Sequence, residues 1–342
     1  MPKKILKLDS KDKKILAALE MNARAPLSAI ARQAGLSKSN VLARINRMKR
    51  EGFLTRFIVG LSSEALGGTF FRLYFSFQNT PEGFERGLVD LAYQIPSVRW
   101  FAFFNGRWDF AIRVAAEDEY EFKKVEKQIM DSIGKYVKDR SFCLNINSAI
   151  HYYTYITGNE GPVAPRSEYD GTKISGLHET DRQLLYHLNE DCRISATGIG
   201  KKIGIAPESV SYRIKKLREK GVINGFTIRL DRNRIGSVEA KILISFNYGQ
   251  EKEEERLLKF CDRHSHLMYY SRILGGWDME IDMDAADPAT LYHQVKEIKR
   301  AFPGLIKDYN VLIKIAEFEP NQLAKLAGIK PKAPAIPNIV EF

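Results

Sequence analysis

The 342-residue chain predicts an α+β protein made twice over, in which two copies of a winged helix-turn-helix are each followed by a ferredoxin-like βαββαβ domain. Three observations carry this. A slide of 169 residues lays Leu8 on Leu177, Asp12 on Asp181, Leu16 on Leu185, Arg24 on Arg193, Ile30 on Ile199, Gly35 on Gly204, Val41 on Val210, Arg44 on Arg213 and Gly52 on Gly221. The same offset carries Gly67 onto Gly236, Ser76 onto Ser245, Phe77 onto Phe246, and Gly106, Trp108 and Asp109 onto Gly275, Trp277 and Asp278, the mark of an internal duplication. Each copy opens on apolar residues at helical spacing punctuated by glycine, then changes to the period of two that belongs to strands.

In the first copy, Asp12 to Met21 forms a helix with Ile15, Leu16 and Leu19 inward, capped by Asp9 or Ser10. Leu27 to Ala34 forms a second, stopped by Gly35. Ser37 then caps a third, SKSNVLARINRMKREG, whose Val41, Ile45 and Met48 share one face. Phe53 to Leu61 reads as a wing strand. Phe71, Leu73, Phe75 and Phe77 alternate as a strand, and a helix follows at about 82–94. Strands around Val98–Asn105 and Trp108–Ala115 make a hairpin; Phe122, Val125, Ile129 and Ile133 mark a helix, and a strand around Val137–Ile146 closes the order. The second copy answers with a helix at about 251–264, strands at 267–274 and 278–283, a helix carrying Leu291, Val295, Ile298 and Phe302, and a last strand at 306–318. Both helices of such a domain lie on one face of the sheet, so the other face wants cover. The expected boundaries are 1–62 and 63–156 for the first copy, 157–173 for a Gly- and Pro-containing linker, 174–231 and 232–319 for the second copy, and 320–342 for a tail with Pro331, Pro334 and Pro337. Fully extended, the linker reaches about 55 Å. Pairing of the copies within one chain and pairing between chains are both available to it.

The formal charge is +11, and it is concentrated. Residues 8–56 hold eleven Lys and Arg against four Asp and Glu, and the aligned 177–225 hold nine against six, with Lys3, Lys4 and Lys7 adding to the first. A polyanionic partner, double-stranded DNA, is expected, with the first head the stronger binder. Cys143, Cys192 and Cys261 lack metal or disulfide spacing and are expected to be buried thiols; His264 and His266 read as a loop-to-strand pair. No nucleophile elbow, phosphate loop or HExxH occurs, so no catalytic residue, metal or cofactor is expected, and the protein is read as a non-enzyme. With no apolar run near roughly 20 residues and no signal-peptide core, a cytoplasmic location away from membranes is expected.

The first turn of a reading helix enters the major groove, which selects Lys38, Ser39 and Asn40 for base edges and Arg44 and Arg47 for guanine or phosphate. An ion-pair role for Arg44 and Arg213 fits the same pattern. In the second copy, Ser209, Arg213 and Lys215 are the counterparts, while Ala206 replaces the capping serine, Pro207 stands at the first helical position and Glu208 stands where Ser39 does. In the hairpins, Asn105-Gly106 and Gly275-Gly276 suit a tight turn, with Asp109 and Asp278 bonding nearby amides.

These features together resemble the Lrp/AsnC, or feast/famine, family of prokaryotic transcription regulators. The residues that carry the resemblance are GLSKSNVLARINRMKREGFL and FNGRWDFAIRV in the first copy, and IGIAPESVSYRIKKLREKGVINGFTIRLD and LGGWDMEIDM in the second. The resemblance implies operator binding, homodimers with sheets packed face to face, and an amino acid or related metabolite bound between effector domains. On that implication Asn105, Gly106, Asp109, Gly275, Gly276 and Asp278 are candidate effector-binding residues. Usual members have one copy per chain, so the tandem form departs from the family. Two other readings stand beside this one. Siroheme decarboxylases resemble paired modules of the same kind and carry Cys-Tyr-x-Arg; here Tyr270-Ser271-Arg272 comes near it, with Tyr269 in place of the cysteine. An architectural or ligand-sensing protein of little sequence specificity is the other.

Overall fold

The computed structural model describes residues 5–62, 69–159, 167–168, 177–320, 323–324 and 327–328. Lys3, Lys4, Gly67, most of the linker and the prolines of the tail lie outside the described residues.

The first head contains α1 (Ser10–Met21), α2 (Leu27–Ala34), α3 (Lys38–Arg50) and the wing β1 (Leu54–Leu61). Asp9 caps α1 in a reciprocal box: its side chain accepts from Asp12 N at 2.8 Å, and Asp12 accepts from Asp9 N at 3.1 Å. Gly35, at φ 62°, ends α2, and Ser37 Oγ accepts from Asn40 N at 3.2 Å to start α3. Next come β2 (Thr69–Phe77), α4 (Phe84–Gln94), β3 (Val98–Asn105), β4 (Phe110–Ala116), α5 (Glu119–Ile133) and β5 (Val137–Ile150), followed by the short α6 (Thr154–Thr157) and β6 (Ser167–Glu168). The second copy runs α7 (Glu179–Glu190), α8 (Ala196–Ile203), α9 (Pro207–Glu219), β7 (Ile223–Leu230), β8 (Val238–Phe246), α10 (Glu251–Arg263), β9 (Leu267–Gly275), β10 (Met279–Ala285), α11 (Pro288–Ala301) and β11 (Ile306–Phe318).

The two copies pair within the chain, edge to edge as well as face to face. The strands run β2-β4-β3-β11-β8-β10-β9-β5, and β5 pairs back onto β2, so eight antiparallel strands close into a ring. The joins between copies, β3 with β11 and β5 with β9, are equivalent under the repeat offset. Closure removes the open edges each sheet would have alone. It also explains why β5 extends to Ile150, beyond the alternating pattern: its later residues, Cys143 to Ile150, are paired by β9. Outside the ring, each half is covered by its own helices, around Phe101, Phe110 and Ile129 in the first copy and Ile242, Leu257 and Ile298 in the second. The inward faces bury Tyr74, Trp100, Phe104, Trp108, Trp277 and Leu312 against one another.

The heads pair with the same reciprocity. β1 and β7 run antiparallel with Val59 opposite Phe226 and Phe57 opposite Ile228, a register symmetric about Ile58 and Thr227, which are themselves repeat equivalents. Arg24 Nη1 donates to the carbonyls of Cys192 and Ile194, and Arg193 Nη1 reciprocally to those of Ala23 and Ala25. Each guanidinium lies over a phenylalanine of the opposite head, Phe226 and Phe57. The apolar side chains of both heads form one core, with Tyr153 in its midst. All three cysteines are buried and none is in a disulfide.

Candidate nucleic-acid interface

α3 presents Lys38, Ser39 and Asn40 to solvent at its first turn, while Val41, Ile45 and Met48 anchor its back. Arg44 and Arg47 are placed differently. Arg44 Nη1 binds Asp9 Oδ2 at 2.7 Å and Asp12 Oδ1 at 2.8 Å, and Arg47 Nη2 binds Asp12 Oδ2 at 2.5 Å. Asp12 is fully buried, and a buried carboxylate must be paired or it costs several kcal/mol. Both arginines therefore clamp α3 to α1. The backbone amide of Asp12, and then Arg44, hold the Asp9 carboxyl below its ordinary range. In the second copy Arg213 binds Asp181 at 2.8 Å in the same way, whereas Lys216, the equivalent of Arg47, pairs with Glu219 at 2.8 Å. The match of Arg44 with Arg213 across the repeat thus reflects a shared scaffold contact.

α9 begins at Pro207 with no side-chain cap and exposes Glu208, Ser209, Tyr212 and Lys215. Lys215 lies 3.9 Å from Glu219. Tyr212, missed from the sequence, is 61% exposed, with Lys216 over its ring; its signal was a large aromatic where the first copy has Ala43. Asn46, Lys49 and Arg50 are also exposed, and Lys49 lies over the Phe57 ring, joining reading helix to wing.

The hairpin residues come together for a structural reason. Asp109 Oδ2 accepts from Phe77 N at 2.7 Å and Asp278 Oδ2 from Phe246 N at 2.7 Å, tying each turn to the neighbouring strand. Asn105 ends β3 opposite Ile313. At Gly106 (φ 152°) an added Cβ would stand 2.9 Å from Leu312 Cδ2; at Gly275 (φ 139°) it would stand 2.3 Å from Phe142 O, and at Gly276 2.2 Å from Ser141 Oγ. On that side Gly106 admits the main chain of β11 and Gly275 that of β5, and Gly276 faces the Ser141 side chain of β5. Gly275→Ala is expected to lose about 2–4 kcal/mol through backbone strain and overpacking, read as a fall in thermal midpoint; a midpoint unchanged within error would contradict it.

Inside the ring, buried charges meet in pairs. Arg72 of β2 pairs with the Glu280 carboxylate of β10, which also accepts from Tyr74 OH at 2.8 Å and from Trp277 Nε1 at 3.3 Å. Lys241 pairs with Asp282 and lies over the Trp100 and Tyr269 rings. Burial pushes the Lys241 ammonium down to about 8, against the pull of Asp282. First-copy equivalents of Glu280 and Asp282 are Ala111 and Arg113. Two first copies paired together would face Arg72 with alanine, so the charge pattern favours first with second. Tyr270 OH donates to Asp262 at 2.9 Å and Arg272 pairs with Glu254 at 2.8 Å, so these two side chains engage separate partners.

A model of the AsnC-type helix-turn-helix domain matches residues 8–49, and a model of winged helix-turn-helix DNA-binding domains matches 177–224. The HTH-type transcriptional regulator AldR of Mycolicibacterium smegmatis is 27% identical over 143 residues, 42% of this chain and 81% of its own. The transcriptional regulator AzlB of Bacillus subtilis is 30% identical over 112 residues, 32% of this chain and 71% of its own. Among solved structures, the siroheme decarboxylase NirDL superposes with a TM-score of 0.60 at 12% identity, covering 93% of this chain and 97% of that one. That likeness is one of fold. No described helix is long and apolar enough to cross a membrane.

Proposed function

The chain belongs to the Lrp/AsnC family of transcription regulators, and from that premise we propose that a single chain binds a sequence-specific operator of two inverted, unlike half-sites in double-stranded DNA. The observation that carries this is the two-fold pairing of the heads within one chain, through β1 with β7 and the reciprocal Arg24 and Arg193 clamps. Two-fold heads require half-sites in inverted orientation, with spacing set by the protein. The half-sites differ because the exposed residues of the reading helices differ: Lys38, Ser39 and Asn40 on one, Glu208, Ser209, Tyr212 and Lys215 on the other. Glu208 suits a cytosine amine, whereas Asn40 suits adenine. Arg44, Arg47 and Arg213 act by holding the helices in place. An amino acid or related metabolite as effector stays in the proposal, away from the hairpin glycines, whose near side is filled by β5 and β11. Selection of bound fragments from random duplex DNA is expected to return two unlike inverted motifs at fixed spacing, with one chain per duplex by sedimentation. A single motif, or two chains per duplex, would sink this reading.

A siroheme decarboxylase-like enzyme is the second reading, favoured by the whole-chain likeness in fold. Against it stand the aromatic packing of the ring interior and the separate partners of Tyr270 and Arg272. The visible absorbance of purified protein after incubation with siroheme distinguishes them: a bound-pigment band would favour the enzyme.

A further inference from the structure

The internal repeat supplies its own control for the charges of the ring. Lys241 and Asp282 of the second copy balance each other, and Asp282 also lies 3.6 Å from Lys314. Their first-copy equivalents are both cations, Arg72 and Arg113, which face each other across β2 and β4. Glu280 answers Arg72. Among the described residues, nothing answers Arg113 with an ion pair: its Nε is buried without a hydrogen-bond partner, and its guanidinium lies over the Phe70 ring at 5.4 Å.

A second cation adjoins it. The β3–β4 register slips between Val98 and Trp100, and Arg99 occupies that bulge, where side chains are re-aimed. Arg99 is only 4% exposed, its Nη1 donates to the Pro96 and Val98 carbonyls at 2.8 and 3.5 Å, and its Nε has no partner. The repeat equivalent of Arg99 is Met268, buried and apolar, so the fold itself does not require a cation there. Burial, and then the Arg113 charge, push the Arg99 guanidinium down to about 10. Burial likewise lowers Arg113, opposed by Tyr269 and Glu319 and reinforced by Arg72 and Arg229. The carboxylates whose charge reaches these two groups are engaged elsewhere: Glu319 with Arg229 at 2.7 Å, and Glu121 accepting from Glu117 N at 2.7 Å.

Arg99 is buried and Arg113 half-buried, and among the described residues neither has a carboxylate partner, an arrangement that costs a folded protein free energy; their planar donor forks match a carboxylate or phosphate. We propose that Arg99 and Arg113 form a binding site for one small oxyanion per chain, either the carboxylate of a metabolite or a phosphate, at the β3–β4 end of the ring. The second copy, with Met268 and Asp282, has no such site. The proposal stands on the ring alone, so it holds or fails independently of DNA binding.

The test is thermal unfolding of the full chain in low-salt buffer, with inorganic phosphate, acetate or succinate added and sodium chloride at matched ionic strength as the reference. At about a hundredfold excess over Kd, one of these oxyanions should raise the midpoint by about 4 °C beyond chloride. Which oxyanion does so identifies the class. In Arg113→Gln and in Arg99→Gln the oxyanion shift should vanish while the anion-free midpoint stays level or rises, because an uncompensated charge has been removed. A structural cation would instead lower the anion-free midpoint. Arg113→Lys, which keeps the charge without the fork, should retain less than half of the shift. The proposal is overturned if no oxyanion exceeds chloride, if the shift survives in Arg113→Gln, or if the Gln variants lose midpoint equally with and without the anion.

Discussion

Glu280→Ala is expected to destabilise the chain by about 3–5 kcal/mol, the cost of leaving a buried cation without its partner. Glu280 is fully buried, and its carboxylate is shared by Arg72, Tyr74, Trp277 and Lys241, which come from both copies. Removing it leaves Arg72, itself 3% exposed, with Tyr269 as its remaining hydrogen-bond partner among the described residues. Arg72→Met with Glu280→Leu should recover most of the loss, since an apolar pair of similar volume dispenses with both charges. Denaturant titration of the three proteins measures this. If Glu280→Ala stays within about 1 kcal/mol of the parent, the ion pair does not join the copies as described.

Lys38→Ala with Asn40→Ala should weaken operator binding by about 30-fold or more, from the loss of a phosphate or guanine contact and an adenine contact at about 1–3 kcal/mol each. Ser209→Ala with Lys215→Ala should cost less, because Glu208 sets a negative charge beside the phosphates and Glu219 lies 3.9 Å from Lys215. Gel-shift titration at fixed salt compares the two; equal losses would refute the ranking. Arg47→Ala should differ in kind, reducing thermal stability along with affinity, since Arg47 is held by the buried Asp12.

The elements were legible wherever a local rule made them. The capping box at Asp9 and Asp12, the glycine stop at Gly35 and the serine cap of α3 each depend on residues a few positions apart. The helix starting at Phe84 was placed within two residues, the difference being Gly83 in a left-handed conformation ahead of it. The site was less legible. Lys38, Ser39 and Asn40 could be selected because position on a helix follows from periodicity. That Arg44 and Arg47 face an acid on α1 could not, because their partner is more than thirty residues away and the basic stripe looks the same with or without it. Gly106 and Gly275 announced close approach by a main chain, but glycine does not say whose.

By itself the sequence determined the duplication, the order of helices and strands in each copy and the excess of positive charge on the first head, all of which follow from spacing and composition along the chain. Only the tertiary structure decided that the copies close on each other into one ring, that β1 pairs with β7, and which charges are matched and which, like Arg113, have no ion pair among the described residues. Strand edges and buried charges take partners from distant segments, and that choice depends on which surfaces meet in space, a quantity that no local pattern contains.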